Sequence, residues 1–400
     1  MKYQLAFLSL FLSFTITAQI LKPGQWRGVV HYDSAQVPFT FEVAYPNGEF
    51  PQITFINGQE RRVIDNVKQE GDSLYIPLDP FDVAITTSFS AMSMEGQYNK
   101  YYRGDRHRFS AEYGKPRMIK RSVRPSVKIS ERLEVSFDPG TSNETRAVGL
   151  FRQVGDMVYG TIQTRASDYR YFEGIMDGDS LKLSCFDGAH AFAILGKKTP
   201  EGWAGEMLYA NNYVEPWIGK ANPEAKLDNP FEMVQLEEGV HKPYYDLLAA
   251  GNGKGAIDPS TFEGKVLIVQ LFGTWCPNSH DQTEYLVDWY EENREKGIEI
   301  LASSYEANYS QEYAMRRINE YIAYNAIPYQ VVLGGRLSKT SAAMPFPFMD
   351  RIEAFPTLVI IDKKGYARYV CSYFNGPATG EYYEAFDQRF REIIAELLAE

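Results

Sequence analysis

Cysteine is scarce in this chain of 400 residues, with three thiols at Cys185, Cys276 and Cys371. An odd number cannot all pair within one chain, so at least one thiol stays free or pairs outside it. The five histidines stand in no clustered Cys/His spacing, so no metal is expected. No glycine-rich loop sits between a strand and a helix as phosphate binding requires, and no cofactor is expected. Positive charge is also in deficit, with 41 Lys and Arg against 52 Asp and Glu, a net charge of −11, and no basic run. Nucleic acid and anionic membrane surfaces therefore meet no electrostatic footprint and are excluded as partners. Beyond the N-terminus, no stretch approaches the ~20 apolar residues that span a bilayer, so the mature chain should hold no transmembrane segment.

What is present fits a globular, multidomain protein. A 44% hydrophobic, 23% charged composition argues against long disorder, and the length exceeds one compact core. At the N-terminus, Lys2 precedes an apolar run from Leu5 to Phe14, and Ile16-Thr17-Ala18 offers tolerated residues at a cleavage point. Residues 1–18 read as a signal peptide cut after Ala18, which places the chain in the periplasm or cell envelope. Losing Lys2 takes the net charge from −11 to −12. No cysteine lies near the cut, so a lipid anchor is not expected.

Residues 19–222 read as a β-rich domain. Segments such as Phe39-Thr40-Phe41-Glu42-Val43 and Arg132-Leu133-Glu134-Val135-Ser136-Phe137 alternate with period two. Asn47-Gly48, Asn57-Gly58, Pro139-Gly140 and Asp187-Gly188 punctuate them as turns. Short strands at regular spacing predict an antiparallel sandwich or barrel. Gly71-Asp72-Ser73-Leu74 followed by Glu95-Gly96, and Gly178-Asp179-Ser180-Leu181 followed by Gly205-Glu206, repeat one hairpin plan. Either the domain is two related β-halves, or common glycine-aspartate turns coincide. Residues 223–255, with Pro223, Pro230 and Gly251-Asn252-Gly253, read as a linker around a short helical stretch.

Residues 256–400 change period. Val266 to Phe272 is continuously apolar, as in a strand buried on both faces. A helical pattern through Leu286, Val287, Trp289 and Tyr290 follows, then a strand from Ile298, a helix over about 310–324, strands at Thr357–Ile361 and Ala367–Cys371, and a terminal helix with Phe386, Phe390, Ile393 and Leu397 on one stripe. This is an α/β layout with a parallel centre and an antiparallel edge.

Chemistry concentrates where the buried strand ends, at Trp275-Cys276-Pro277-Asn278-Ser279. A thiol at a helix N-terminus faces unpaired N–H groups and the positive end of the helix dipole, so Cys276 is expected to be a thiolate nucleophile with a lowered pKa. Pro277 suits the first helical turn. Far downstream, Phe355-Pro356-Thr357 opens another apolar strand, where proline is tolerated. His280 either tunes the thiolate or is a solvated helix-face residue. Tyr285, Trp289 and Tyr290 read as helix packing.

The ordered set Phe262-Glu263-Gly264-Lys265-Val266, Trp-Cys-Pro-Asn, Phe355-Pro356-Thr357 and Ile361-Asp362-Lys363-Lys364-Gly365 resembles the thioredoxin superfamily, and within it the TlpA-like envelope thiol–disulfide proteins. The resemblance implies a thioredoxin fold, a cis bond before Pro356, and that loop packing beside Cys276. Pro277, Phe355, Pro356 and Thr357 read as the substrate-holding surface, and Trp275 is either a substrate platform or a cover over the site. Asp168-Tyr169-Arg170-Tyr171 and Leu183-Ser184-Cys185-Phe186-Asp187-Gly188 are similar to the β-rich extension of some such proteins, and that likeness implies no chemistry. The family expects a second cysteine three residues after the first, and here Ser279 stands there. Ser279 can assist the thiolate but cannot resolve a mixed disulfide, so an outside thiol or another cysteine must. Cys371 is the candidate resolving thiol, against a plainer reading as a packed edge-strand residue; Cys185 reads as a packed strand residue. The neighbouring Gln270 occupies the place of a carboxylate that many thioredoxins use to deprotonate the second thiol. Val269 and Gly273 hold the proline and threonine places of the peroxiredoxin pattern, so a peroxidase is not expected. The reading is a monothiol oxidoreductase or isomerase acting on disulfide- or thiol-containing envelope proteins or small thiols. The alternative is a non-catalytic thioredoxin-fold binding module.

Overall fold

Alternating strands that bury one face need a second layer, and the first half of the chain supplies two. A computed structural model describes residues 20–33, 35–48, 50–119, 124–209, 213–253, 255–308 and 310–400. The segment read as a signal peptide lies outside the described residues. Strands from Gly24–His31 to Asp105–Tyr113 form a nine-stranded antiparallel sheet in which the first and last strands pair. A second set of nine strands runs from Arg132–Phe137 to Tyr213–Ala221, and pairing of Thr145–Val154 with Met157–Thr164 closes eight of them into a barrel. Closure removes the open edges of that sheet. In the first set, Gly71-Asp72 turns between the fifth and sixth strands and Gly96 lies in the eighth; in the second, Gly178-Asp179 and Gly205 take the same ordinal places.

The barrel core holds Cys185, fully buried, among Leu133, Ile162, Trp203 and Trp217. The two β units share a seam. Phe186 stacks on Phe39 at 4.1 Å, Asn57 exchanges hydrogen bonds with the Phe186 backbone at 2.9 and 3.1 Å, and Tyr98 donates to the Gly188 carbonyl at 3.0 Å.

The last part is a five-stranded sheet in the order Gln330–Arg336, Ile298–Glu306, Val266–Phe272, Thr357–Ile361, Ala367–Cys371. The first three strands run parallel and the last two antiparallel. Helices Pro277–Asn293 and Glu381–Ala399 pack on one face through Trp289 and Phe390, whose rings lie 4.9 Å apart edge to face. Among the described residues no helix is long and apolar enough to cross a membrane. The strand Gln330–Arg336 was not expected from the sequence. Nor does 223–255 hang free: Phe231 and Leu248 are buried against the sheet layers, and Ser372 and Ala367 donate backbone hydrogen bonds to Pro230 and His241. Apolar anchors turn an expected linker into part of the packed unit.

Candidate active site

The strand Val266–Phe272 has every residue buried, and its end delivers Gly273-Thr274-Trp275-Cys276 to the rim of the sheet. Gly273 is needed there. A Cβ at that position would lie 2.3 Å from Trp275 Nε1, because the indole folds back to donate to the Tyr305 carbonyl at 3.0 Å. Thr274 is fixed by Glu306, whose carboxylate accepts the Thr274 N–H at 3.2 Å and hydroxyl at 2.9 Å. Cys276 is the N-cap of the helix Pro277–Asn293, with extended backbone angles and Pro277 in the first turn. The next turn closes as His280 N–H donates to the Cys276 carbonyl at 3.0 Å.

The Phe355–Pro356 bond is cis, and its loop lies directly on the sulfur: Cys276 Sγ is 3.6 Å from the Phe355 carbonyl oxygen. Thr357 turns inward, its hydroxyl donating to the Ala354 carbonyl at 2.8 Å, with the Ser372 carbonyl 3.2 Å away. The structure thus brings Trp275, Cys276, Pro277 and Phe355 to one surface, with Ser279 and Thr357 sealed behind it.

The expectation of a lowered thiol pKa is not met. Burial, with Cys276 only 8% exposed, pushes the thiol up, and the Ser279 hydroxyl with the Ser279 and Asn278 N–H groups pull it back only in part. A charge removed from water costs more here than one helix end returns. Cys371 fits the plainer of its two readings, a packed strand residue. Its sulfur is fully buried among Leu358, Phe374 and Phe386, donates to the Tyr373 carbonyl at 3.2 Å, and does not line the cavity of Cys276. Burial pushes its thiol far up as well. All three cysteines are free. His280 is buried, not solvated, with its ring edge-on to Phe81 at 5.6 Å. Gln270 donates to Gln282 and Thr283 at 3.1 and 3.2 Å and does not reach the cavity.

The largest surprise is the ceiling. Cys276 opens onto a cavity of 310 Å³ whose other wall is the β-barrel, including Asp168, Tyr169, Asp187, His190 and Phe192. The two segments from which no chemistry was expected therefore face the thiol. The barrel is locked in place by polar contacts to the active-site helix. Asn278 Nδ2 donates to the Asp168 carbonyl at 3.1 Å. Arg170 pairs with Asp281, and with Glu60 of the first sheet at 2.5 Å, all with side chains largely buried. Tyr102, from the first sheet, lies parallel to Trp275 at 6.4 Å. Sequence patterns missed Glu306 and the barrel residues. A carboxylate at the C-terminal end of a parallel strand was the available signal for the former. Among the described residues no group of three or more His, Cys, Asp or Glu could hold a metal.

Comparison with known proteins agrees with this geometry. Residues 240–370 match the AhpC/TSA family, and the C-terminal region is a thioredoxin fold that is similar to thiol–disulfide oxidoreductases. The thiol-disulfide oxidoreductases ResA of Bacillus thuringiensis subsp. konkukian and Bacillus cereus are 26% identical over 115 residues, covering 27% of this chain and 56% of theirs. The chain thus spans about half the length of the curated relatives it matches. Similar solved structures include a thiol:disulfide interchange protein from Chlorobium tepidum (21% identity, 37% of this chain and 89% of that one, TM-score 0.28). Another is a secreted thiol-disulfide isomerase from Corynebacterium glutamicum (16% identity, 45% and 96%, TM-score 0.30).

Proposed function

We propose that this protein is an exported thiol–disulfide exchange protein that works through one nucleophilic sulfur, Cys276. The observation carrying this reading is the sulfur's position at a helix N-cap, against the Phe355 carbonyl, on the wall of a cavity, with Ser279 where a second thiol would stand. Cys276 would attack a substrate disulfide, and an external thiol would release it, because a hydroxyl cannot resolve a mixed disulfide. Such a site cannot store two electrons by itself, which favours isomerisation or reductive rescue over net oxidation. The leader-like N-terminal sequence, with Lys2 before the apolar run Leu5 to Phe14, supports an envelope location.

The test is mixed-disulfide trapping. Wild type incubated with 2-hydroxyethyl disulfide should gain one thiol adduct at Cys276, and Cys276→Ser none. A second reading, a non-catalytic binding module, is favoured by one observation, the burial of the thiol at 8% exposure, which disfavours its charged form. It prevails if wild type forms no adduct and captures only non-covalent partners from envelope extracts.

A further inference from the structure

The cavity above Cys276 is also lined by a hydrogen-bonded carboxylate–imidazole pair. Asp187 and His190 sit on the turn between the barrel strands Ser180–Phe186 and Ala191–Thr199, and both line the same 310 Å³ space as the thiol. The turn is tightly made. Asp187 Oδ1 accepts the N–H groups of Ala189 and His190 at 2.9 and 2.6 Å, and Oδ2 lies 3.2 Å from His190 Nδ1. Phe192 holds the imidazole from one side, its ring stacked at 5.2 Å. A carboxylate on Nδ1 makes that nitrogen the donor, which leaves Nε2 as the basic nitrogen. The imidazole side chain keeps 24% of its surface accessible while Asp187 keeps 2%, so a small molecule can reach the histidine and not the carboxylate.

We propose that His190, oriented by Asp187, is the proton acceptor and donor for Cys276, so that the reacting centre is a cysteine–histidine–aspartate set assembled across the interface between barrel and thioredoxin fold. The inference rests on the thiol–disulfide reading and names its substrate class, small disulfides and thiols that enter the shared cavity. It also answers the difficulty raised by the buried sulfur. A thiol that rests protonated needs a base at the moment of attack, and a positioned imidazole is the usual one. Burial lowers the histidine pKa while Asp187 raises it, and Lys100 and Arg103 of the first sheet oppose its protonation. The net downward shift leaves a neutral base at pH 7. Asp168, Tyr169, Lys339 and Cys276 are the other ionisable groups on the cavity wall.

The exchange balances as follows. His190 Nε2 takes the Cys276 proton, and the sulfur attacks a disulfide R–S–S–R′. A Cys276–S–S–R bond forms and the substrate S–S bond breaks. The leaving R′ sulfur takes the proton from His190 and departs as a thiol. A second small thiol, R″–SH, then passes its proton to His190, attacks the R sulfur and leaves as R–S–S–R″. Cys276 sulfur is released and recovers the proton. Across the cycle one disulfide and one thiol are exchanged for another pair, with no net oxidant or reductant consumed.

Full-length protein and His190→Gln are alkylated with iodoacetamide across about pH 5 to 10, with the Cys276 label quantified by mass spectrometry. Wild type is expected to react through the histidine range and, at pH 7, roughly a hundredfold faster than the variant. The variant should follow thiol ionisation alone, above pH ~8.5. Coincident profiles overturn the proposal. Should His190→Gln fail to fold, Asp187→Asn keeps the turn acceptor and reverses the tautomer, and the same loss is expected. Independently, the NMR titration of His190 should move when Cys276 is replaced by alanine; an unmoved titration also overturns it. Cystamine separates the two ideas. If His190-dependent alkylation persists while wild type does not exchange with cystamine, the disulfide reading falls and the proton-transfer pair stands. If exchange proceeds equally in His190→Gln, the pair falls and the disulfide reading stands.

Discussion

A sulfur at a helix start feels two opposed influences, and at Cys276 the loss of water outweighs the backbone amides. This fixes the sign of a pH effect on stability. Burial raises the Cys185, Cys276 and Cys371 thiols in the folded state. As pH climbs past the unfolded value of ~8.5, the unfolded chain loses thiol protons first, so unfolding becomes easier. The urea midpoint is expected to fall between pH 7 and pH ~9.5, and a flat midpoint would contradict the burial of these thiols. Ser279 gives a second residue-level outcome. It is fully buried three positions after Cys276, and Ser279→Cys should let mild oxidation close an internal disulfide, removing both thiols from a colorimetric titration. The place of Cys276 at a helix start was legible from Trp275-Cys276-Pro277 and the apolar run before it. Its protonation state was not, because no local pattern encodes how much protein lies above a residue.

At the scale of elements, the active-site loop is held by its neighbouring strand. Glu306 closes Ile298–Glu306 and accepts both the N–H and the hydroxyl of Thr274. Glu306→Ala would strand these buried donors, at a cost of about 1–3 kcal/mol, read as a lowered thermal midpoint. The order of strands and helices from Val266 onward was legible from apolar periodicity, except for the strand Gln330–Arg336 and the short helix Lys339–Ala343. The strand Gln330–Arg336 is hidden by Gly334-Gly335, which reads as a turn. Yet a Cβ at Gly334 would lie 2.4 Å from Ser303 Oγ and 2.6 Å from the Tyr305 ring. The glycine that conceals the strand is what lets it lie against its parallel neighbour.

For the whole molecule, one buried guanidinium ties three pieces together. Arg170 belongs to the barrel, Glu60 to the first sheet and Asp281 to the active-site helix. Arg170→Met would leave two buried carboxylates without a countercharge, an expected loss of about 3–5 kcal/mol. It should also slow iodoacetamide labelling of Cys276 at pH 7, as the barrel wall that carries His190 loosens over the sulfur, and an unchanged rate would show that Arg170 does not position that wall. This arrangement was invisible in the sequence. Asp168 and Arg170 precede Cys276 by more than a hundred residues, and nothing in their local pattern announces a contact so distant along the chain.

The sealed wall above the sulfur has a practical consequence for anyone who would borrow it. Trp275 to Ser279, moved onto another scaffold, would arrive without half of its surroundings, because Tyr169, His190 and Phe192 come from a separate stretch of polypeptide. The lining of the cavity in this architecture is not a portable cassette. It belongs to the junction, and shuffling either half alone would erase it.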